Sequence, residues 1–260
     1  MSPLYRDAKE EKRLVVVLTP AESKKLLGLA VRELPAVKRA MKCGTVIVAT
    51  GGTNAYVKDA LTGTSSDPRD FLTGHIIDGG FGVNIKKRAT PLVLYQGQVT
   101  DTPWLEAVTE LGANDVVIKG ANAVDPMGHA GILLLSPEAG TIGKLVGVTS
   151  ARGISLIIPV GLEKLIPSVL EAANCSGLER IEHSLDGRSV GLMPVVNGQV
   201  VTEVEAFKIL FDVRACPIAA GGIAGSEGAV TLVVQGEEEK IVKAKEMLKD
   251  IKGEPPVARP

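Results

Sequence analysis

The sequence predicts an α/β protein: a doubly wound, mainly parallel sheet over residues 12–180, then a smaller ferredoxin-like α+β domain over 181–253, with residues 1–11 and 254–260 as flexible tails. Three observations predict it. Short uninterrupted apolar runs alternate with helical periodicity, the pattern of a sheet covered on both faces. Glycine-rich turns stand directly behind two of those runs. After about residue 180 the texture changes to a β-α-β-β-α order, close to a split plait.

Arg13–Leu18 (RLVVVL) is rich in β-branched residues and of strand length. It stops at Thr19-Pro20-Ala21-Glu22, a capping box with Thr19 as N-cap, Pro20 at the first helical position and Glu22 at the third. Leu26, Leu27, Ala30, Val31 and Leu34 then recur at helical spacing. Pro35 starts a second helix ending near Cys43-Gly44, and Thr45–Ala49 is the next strand. Pro91–Tyr95 and Asp115–Lys119 read as strands with a helix over Thr102–Leu111 between them. Ile154–Val160 is another, with a helix from Leu162 to about Ala173 behind it. Further strands are expected at Leu178–Leu185, Gly191–Val201, Ala215–Ala219 and Ala229–Gln235, and helices at Thr202–Phe211 and Glu237–Ile251. The loop Ala219–Gly228 (AAGGIAGSEG) is a lid, an oligomer contact or a plain hairpin loop.

Composition narrows the function. Lys plus Arg is 29 against 30 Asp plus Glu, and the charge runs are mixed in sign. No basic stripe points to nucleic acid. Cys43, Cys175 and Cys216 form no C-x-x-C pair, which predicts reduced thiols and no zinc site. The start, MSPLYRDAKEEKR, has no apolar segment of a secretory signal, and no stretch reaches the roughly 20 residues of a membrane helix. A cytoplasmic protein is expected, with no metal, cofactor, membrane or nucleic-acid partner.

Two segments carry candidate chemistry. In Val46–Tyr56 (VIVATGGTNAY) a buried strand runs into Thr50, Gly51, Gly52, Thr53 and Asn54 and then a helix. Amides at a helix start favour an anion, although the spacing is neither the Walker nor the Rossmann pattern. The second segment follows the strand at 115–119: Gly120, Asn122 and Asp125, then Glu138, Gly140, Thr141 and Lys144. Polar groups beyond a strand's carboxyl end lie where open α/β sheets bind ligands. Asp125, Glu138 and His129 are candidate proton carriers, and Lys144 a candidate charge stabiliser. The alternative for the same residues is a turn at Asp125-Pro126, a cap at Asn122 and a surface cation at Lys144. His75 with Asp78, and His183, are weaker candidates, and the three histidines lack metal-ligand spacing.

These motifs carry a resemblance. GANAVDPMG (residues 120–128) resembles a turn of ribose-5-phosphate isomerase and, more closely, one in the sugar-sensing domains of DeoR-type repressors. SPEAGTIGK (136–144) is similar to the helix start that bears Glu and Lys in those proteins, and TGGTNAY (50–56) to their phosphate loop. The resemblance covers about residues 44–165. It implies the fold shared by glucosamine-6-phosphate deaminase, ribose-5-phosphate isomerase and the CoA transferases. It departs at Asn122 and Ala123, where the isomerase has acidic residues, and at Gly143, where it has its catalytic Glu. The repressors' helix-turn-helix has no counterpart in residues 1–43.

The resulting expectation is a homo-oligomeric protein binding a phosphorylated or carboxylated small metabolite, an isomerase or transferase acting on sugar phosphates or CoA esters. The alternatives are a ligand-sensing module that kept the pocket and a structural subunit of a larger assembly.

Overall fold

Four strands, each short and almost wholly apolar, lie parallel at the centre of the fold: β2 (Thr45–Val48), β7 (Val116–Ile118), β10 (Ser155–Pro159) and β12 (Gln199–Val201). The computed structural model describes residues 11–84 and 89–259. The charged start, read as a tail without a secretory signal, lies outside the described residues up to residue 10, as does residue 260 of the C-terminal tail.

Two antiparallel strands, β5 (Leu92–Tyr95) and β6 (Gln98–Thr100), extend the β2 edge, so the six-stranded sheet is mixed, in the order β12-β10-β7-β2-β5-β6. Side chains alternate between its faces, as the pleat requires. Val46, Val48, Val116, Ile118 and Ile157 join one core cluster. Ile47, Val117, Leu156 and Ile158 join the other. The first face packs on α1 (Pro20–Glu33), α3 (Gly52–Thr62) and α7 (Glu203–Phe211). The second packs on α4 (Trp104–Glu110) and α5 (Gly140–Arg152). Each fully buried Leu, Ile or Val contributes about 1.5–3 kcal/mol.

The capping box expected at Thr19 is present: Thr19 Oγ1 accepts from the Glu22 amide and the Thr19 amide donates to Glu22 Oε2, at 3.4 and 2.9 Å. Glu22 is buried and also holds Lys252 Nζ at 2.8 Å. Gly28 lets α1 cross α3 at close range, since a Cβ there would lie 2.7 Å from the Tyr56 carbonyl oxygen. The helix α2 (Pro35–Cys43) follows as expected.

Smaller sheets surround this centre. β1 (Lys12–Leu18), β14 (Val230–Gly236) and β13 (Arg214–Ala220) form an antiparallel sheet, with β1 against β14 over seven pairs from Lys12–Gly236 to Leu18–Val230. Its inner side shares the first core cluster with α1, α7 and α8 (Glu238–Ile251). Both this sheet and the central one draw strands from either side of residue 180. The hairpin β3 (Gly74–Ile77) to β4 (Gly80–Val83) and the sheet of β8 (Ala123–Val124), β9 (Ala130–Leu134) and β11 (Gly191–Val195) complete the fold.

Three sequence expectations need correction. The helix from Leu162 to Ala173 is a single 3-10 turn at Leu162–Lys164, then α6 (Val169–Cys175) capped by Ser168. Pro167 cannot sit inside a helix, because it lacks an N–H and restricts the residue before it. Leu178–Leu185 is not a strand: Gly177 starts a turn, accepting from the amides of Arg180 and Ile181, and the charged stretch that follows pairs with nothing in a sheet. Gly191–Val201 is two strands in different sheets, broken at Asn197-Gly198, where a Cβ on Gly198 would lie 2.8 Å from Ile158 Cγ1.

Candidate functional site

The glycine turn after β2 and the turn after β7 meet, because their strands are parallel neighbours in register, Val48 opposite Ile118. Asn54, fully buried in the first turn of α3, joins them: its Nδ2 donates to the carbonyls of Ala49 at 2.7 Å and Ile118 at 3.3 Å. Its Oδ1 faces Gly120, where a Cβ would stand 3.6 Å away, and has no hydrogen-bond partner among the described residues. Gly51 has φ 152° and ψ 158°, and its amide donates to the Phe71 carbonyl at 2.9 Å. That amide is therefore committed, and the helix start offers those of Gly52, Thr53 and Asn54. Thr50 and Thr53 are buried, and the Thr73 hydroxyl donates to that of Thr50 at 2.9 Å.

The structure uses Asp125 differently. It closes the β8–β9 hairpin, accepting at 3.0 Å from each of the amides of Met127, His129 and Val169, with His129 Nδ1 at 3.1 Å. Burial pushes its carboxyl up, but the Val169 and His129 amides and the His129 ring more than offset this and hold it below the ordinary carboxylate range. Asp125 and His129 are together, yet the carboxylate's oxygens are occupied in pinning the hairpin to α6. Asn122 is exposed, and its Oδ1 accepts from the Leu133 amide at 3.0 Å.

Glu138 and Lys144 lie at the start of α5, 76% and 52% exposed and 3.5 Å apart. No hydrogen bond or ion pair among the described residues links them to the turns at 50–54 or 120. Ala139 and Gly140 enter the helix at φ 58° and 51°, with Thr141 in its first turn. A Cβ on Gly143 would sit 2.6 Å from the Glu138 carbonyl oxygen, which explains a glycine there. His75 packs its ring over Gly82 in the β3–β4 hairpin, Asp78 pairs with Arg259, and His183 is exposed.

Sequence reasoning missed a cluster of charged side chains at the carboxyl ends of β7, β10 and β12. Lys119 ends β7, with Nζ 3.1 Å from the Gly120 carbonyl, and is partly buried. Burial pulls its ammonium down to about 8, with Lys164 acting in the same direction. Glu163 and Lys164 sit in the 3-10 turn after β10. Glu163 folds back so closely over Gly161 that a Cβ there would be 1.8 Å from Glu163 Oε2. Glu203 begins α7, fully buried, and its Oε2 accepts from the Leu162 amide at 2.9 Å. Burial pushes its carboxyl up to about 7, Glu163 adds to the rise, and the Leu162 amide opposes it. The Ser23 hydroxyl pulls it down too, although it lies beside the carboxylate without reaching hydrogen-bond geometry. Lys24 on α1 is lowered by burial and then by Lys164. One signal was available: a lysine closing an apolar strand, as in VVIK, stands at the ligand edge of a parallel sheet.

No family model, characterised protein or solved structure matches this chain. Among the described residues no group of three His, Cys, Asp or Glu is placed to hold a metal ion, and no helix is long and apolar enough to cross a membrane. A shallow hollow lined by Arg32, Glu33, Lys38, Met41, Lys42 and Leu61 lies at the far end of α1 from the cluster and has no chemistry converging on it.

Proposed function

We propose that this chain binds a small phosphorylated or carboxylated metabolite at the carboxyl ends of β2, β7 and β10 and moves a proton on it. The supporting observation is that Lys119, Lys164 and Lys24 cluster beside the joined turns at Asn54 and Gly120, with a carboxyl at Glu203 that burial keeps near neutrality. Cations in a partly dry site attract an anion far more strongly than on an open surface. Two titratable groups displaced toward pH 7 in one cluster are the usual equipment of acid–base catalysis. In this reading Lys119 and Lys164 hold the anion, the amides of Gly52 to Asn54 assist, and Glu203 exchanges the proton. The superfamily of ribose-5-phosphate isomerase and the CoA transferases belongs to this proposal as the source of the substrate class, sugar phosphates or CoA esters.

Thermal-shift and calorimetric titration with inorganic phosphate, sugar phosphates, short carboxylates and CoA esters tests it, followed by turnover assays on whatever binds. Lys119→Met and Lys164→Met are expected to weaken binding at least about tenfold each. Absence of any anion-dependent stabilisation in the parent chain would remove the proposal.

A second reading, a ligand-sensing module without turnover, draws on Asp125, whose oxygens are spent on structural bonds. Binding without turnover selects it. Self-association belongs to the same proposal, on the outward exposure of Val15, Val17 and Ile218; light scattering tests it.

A further inference from the structure

Most of the buried side-chain polar atoms without a partner among the described residues belong to residues just past the carboxyl ends of β2, β10 and β12, or packed beside them. Asn54 Oδ1, Glu163 Oε2, Glu203 Oε1 and the Ser23 hydroxyl have none among the described residues, whereas elsewhere only His75 Nδ1 and Thr100 Oγ1 are in that state. A buried acceptor left unsatisfied costs about 1–3 kcal/mol, so three carbonyl or carboxylate oxygens so placed need an explanation.

Their orientations are fixed by what their other atoms do. Asn54 cannot turn its amide over, because Nδ2 faces two carbonyl oxygens, those of Ala49 and Ile118. Glu203 commits Oε2 to the Leu162 amide and thereby presents Oε1. Glu163 has Oε1 3.6 Å from Lys164 Nζ, leaving Oε2 over Gly161. The neighbouring lysines do not fill these acceptors: Lys119 bonds the Gly120 carbonyl. Gly120 also lets Asn54 approach the end of β10, since a Cβ there would be 3.6 Å from Asn54 Oδ1 and 3.9 Å from the Pro159 carbonyl. A metal ion does not suit the set, because two carboxylates and an amide are ringed by ammonium groups.

We infer, resting on the anion-site reading above, that the ligand carries a hydroxyl or amino donor beside its anionic group, the donor directed at Glu203 Oε1, Glu163 Oε2 and Asn54 Oδ1. Asn54 and Glu203 are then specificity-determining residues: the lysines select charge, and the acceptors select a polyhydroxylated or aminated anion over a plain one. A site built with buried acceptors discriminates against analogues lacking the donor, which would leave those acceptors unpaired.

The test is calorimetric titration of the full chain with two matched series. Methyl phosphate is compared with glycerol phosphate and phosphoethanolamine, and propionate with glycerate and alanine. At least one donor-bearing probe should bind about tenfold tighter than its plain counterpart. Glu203→Gln retains an oxygen for the Leu162 amide and should erase that preference; Glu163→Gln should reduce it in part. Equal binding of plain and donor-bearing probes, or a preference that survives both variants, overturns the inference and leaves the anion site standing. Failure of every probe in both series overturns the anion site and the inference with it.

Discussion

Asp125→Ala should destabilise the fold by about 2–5 kcal/mol. Three amides lose their acceptor, each now at 3.0 Å from the carboxylate. That of Val169 is wholly buried, and stranding it costs about 1–3 kcal/mol. The Met127 and His129 amides lie nearer the surface and can turn partly to water, so about 0.5–1 kcal/mol each is appropriate. Asp125→Asn keeps one acceptor and the volume and should cost roughly half as much. Urea unfolding followed by circular dichroism reads the difference, with an unchanged slope confirming that the same surface is exposed. The sign with pH is also set. The folded carboxyl lies below its unfolded value, so its contribution is complete above the unfolded value near 4 and is lost as pH falls through the folded one. The deficit of the alanine variant should therefore shrink in acid. An alanine variant within about 0.5 kcal/mol of the parent at pH 7 would refute the structural role assigned to these bonds.

Gly28→Ala should lower stability by about 1–2 kcal/mol, the clash with the Tyr56 carbonyl outweighing the better helix propensity of alanine, and thermal melting measures it; an unchanged melting temperature would mean that α1 and α3 slide apart freely. Lys144→Ala, removing an exposed partner of Glu138, should change stability by less than about 0.5 kcal/mol and leave ligand affinity unaltered; a lost affinity in titration would return that pair to the site. Glu203→Gln should flatten the pH dependence of stability. The folded carboxyl is raised to about 7, so its contribution is present below the unfolded value near 4.3 and declines as pH rises through 7, and the variant should gain up to about 3 kcal/mol over the parent at pH 8. Parallel pH profiles of parent and variant would contradict it.

Local chemistry was legible where it was self-contained. Thr19-Pro20-Ala21-Glu22 states its own capping box, and the apolar runs of β2, β7 and β10 name themselves as central strands. Pairing was not legible, because β1 finds its neighbour in β14, more than two hundred residues away. Some local signals went unread: Asp78-Gly79, with φ 53° and 77°, is the two-residue turn of the β3–β4 hairpin. At the site, sequence reasoning weighted residues inside conspicuous turns and missed those that depend on assembly. Glu203 looks like an ordinary acidic residue in the first turn of a helix, and only the packing of α7 against α1 buries it. Asp125 errs the other way, a conspicuous acid whose oxygens are used up locally.

The placement of the cluster follows from strand order. The parallel strands advance in one direction, β2, β7, β10, β12, without the reversal that opens a crevice in a doubly wound sheet. Their carboxyl ends still lie along one edge, but something else must wall the edge in. The antiparallel sheet supplies part of that wall from two places. β1 leads through Thr19 into Pro20, and the β13–β14 loop brings Gly228 alongside, where a Cβ would stand 3.2 Å from Pro20 Cγ and 3.6 Å from Glu163 Cβ. With φ at 77°, Gly228 is a position few other residues can occupy. The small sheet is thus coupled to Glu163 through contact as well as through the shared core, and the pairing of β1 with β14 holds both parts of the wall in register. A chain without β13 and β14 would lose the neighbour of β1 and one side of the charged cluster together.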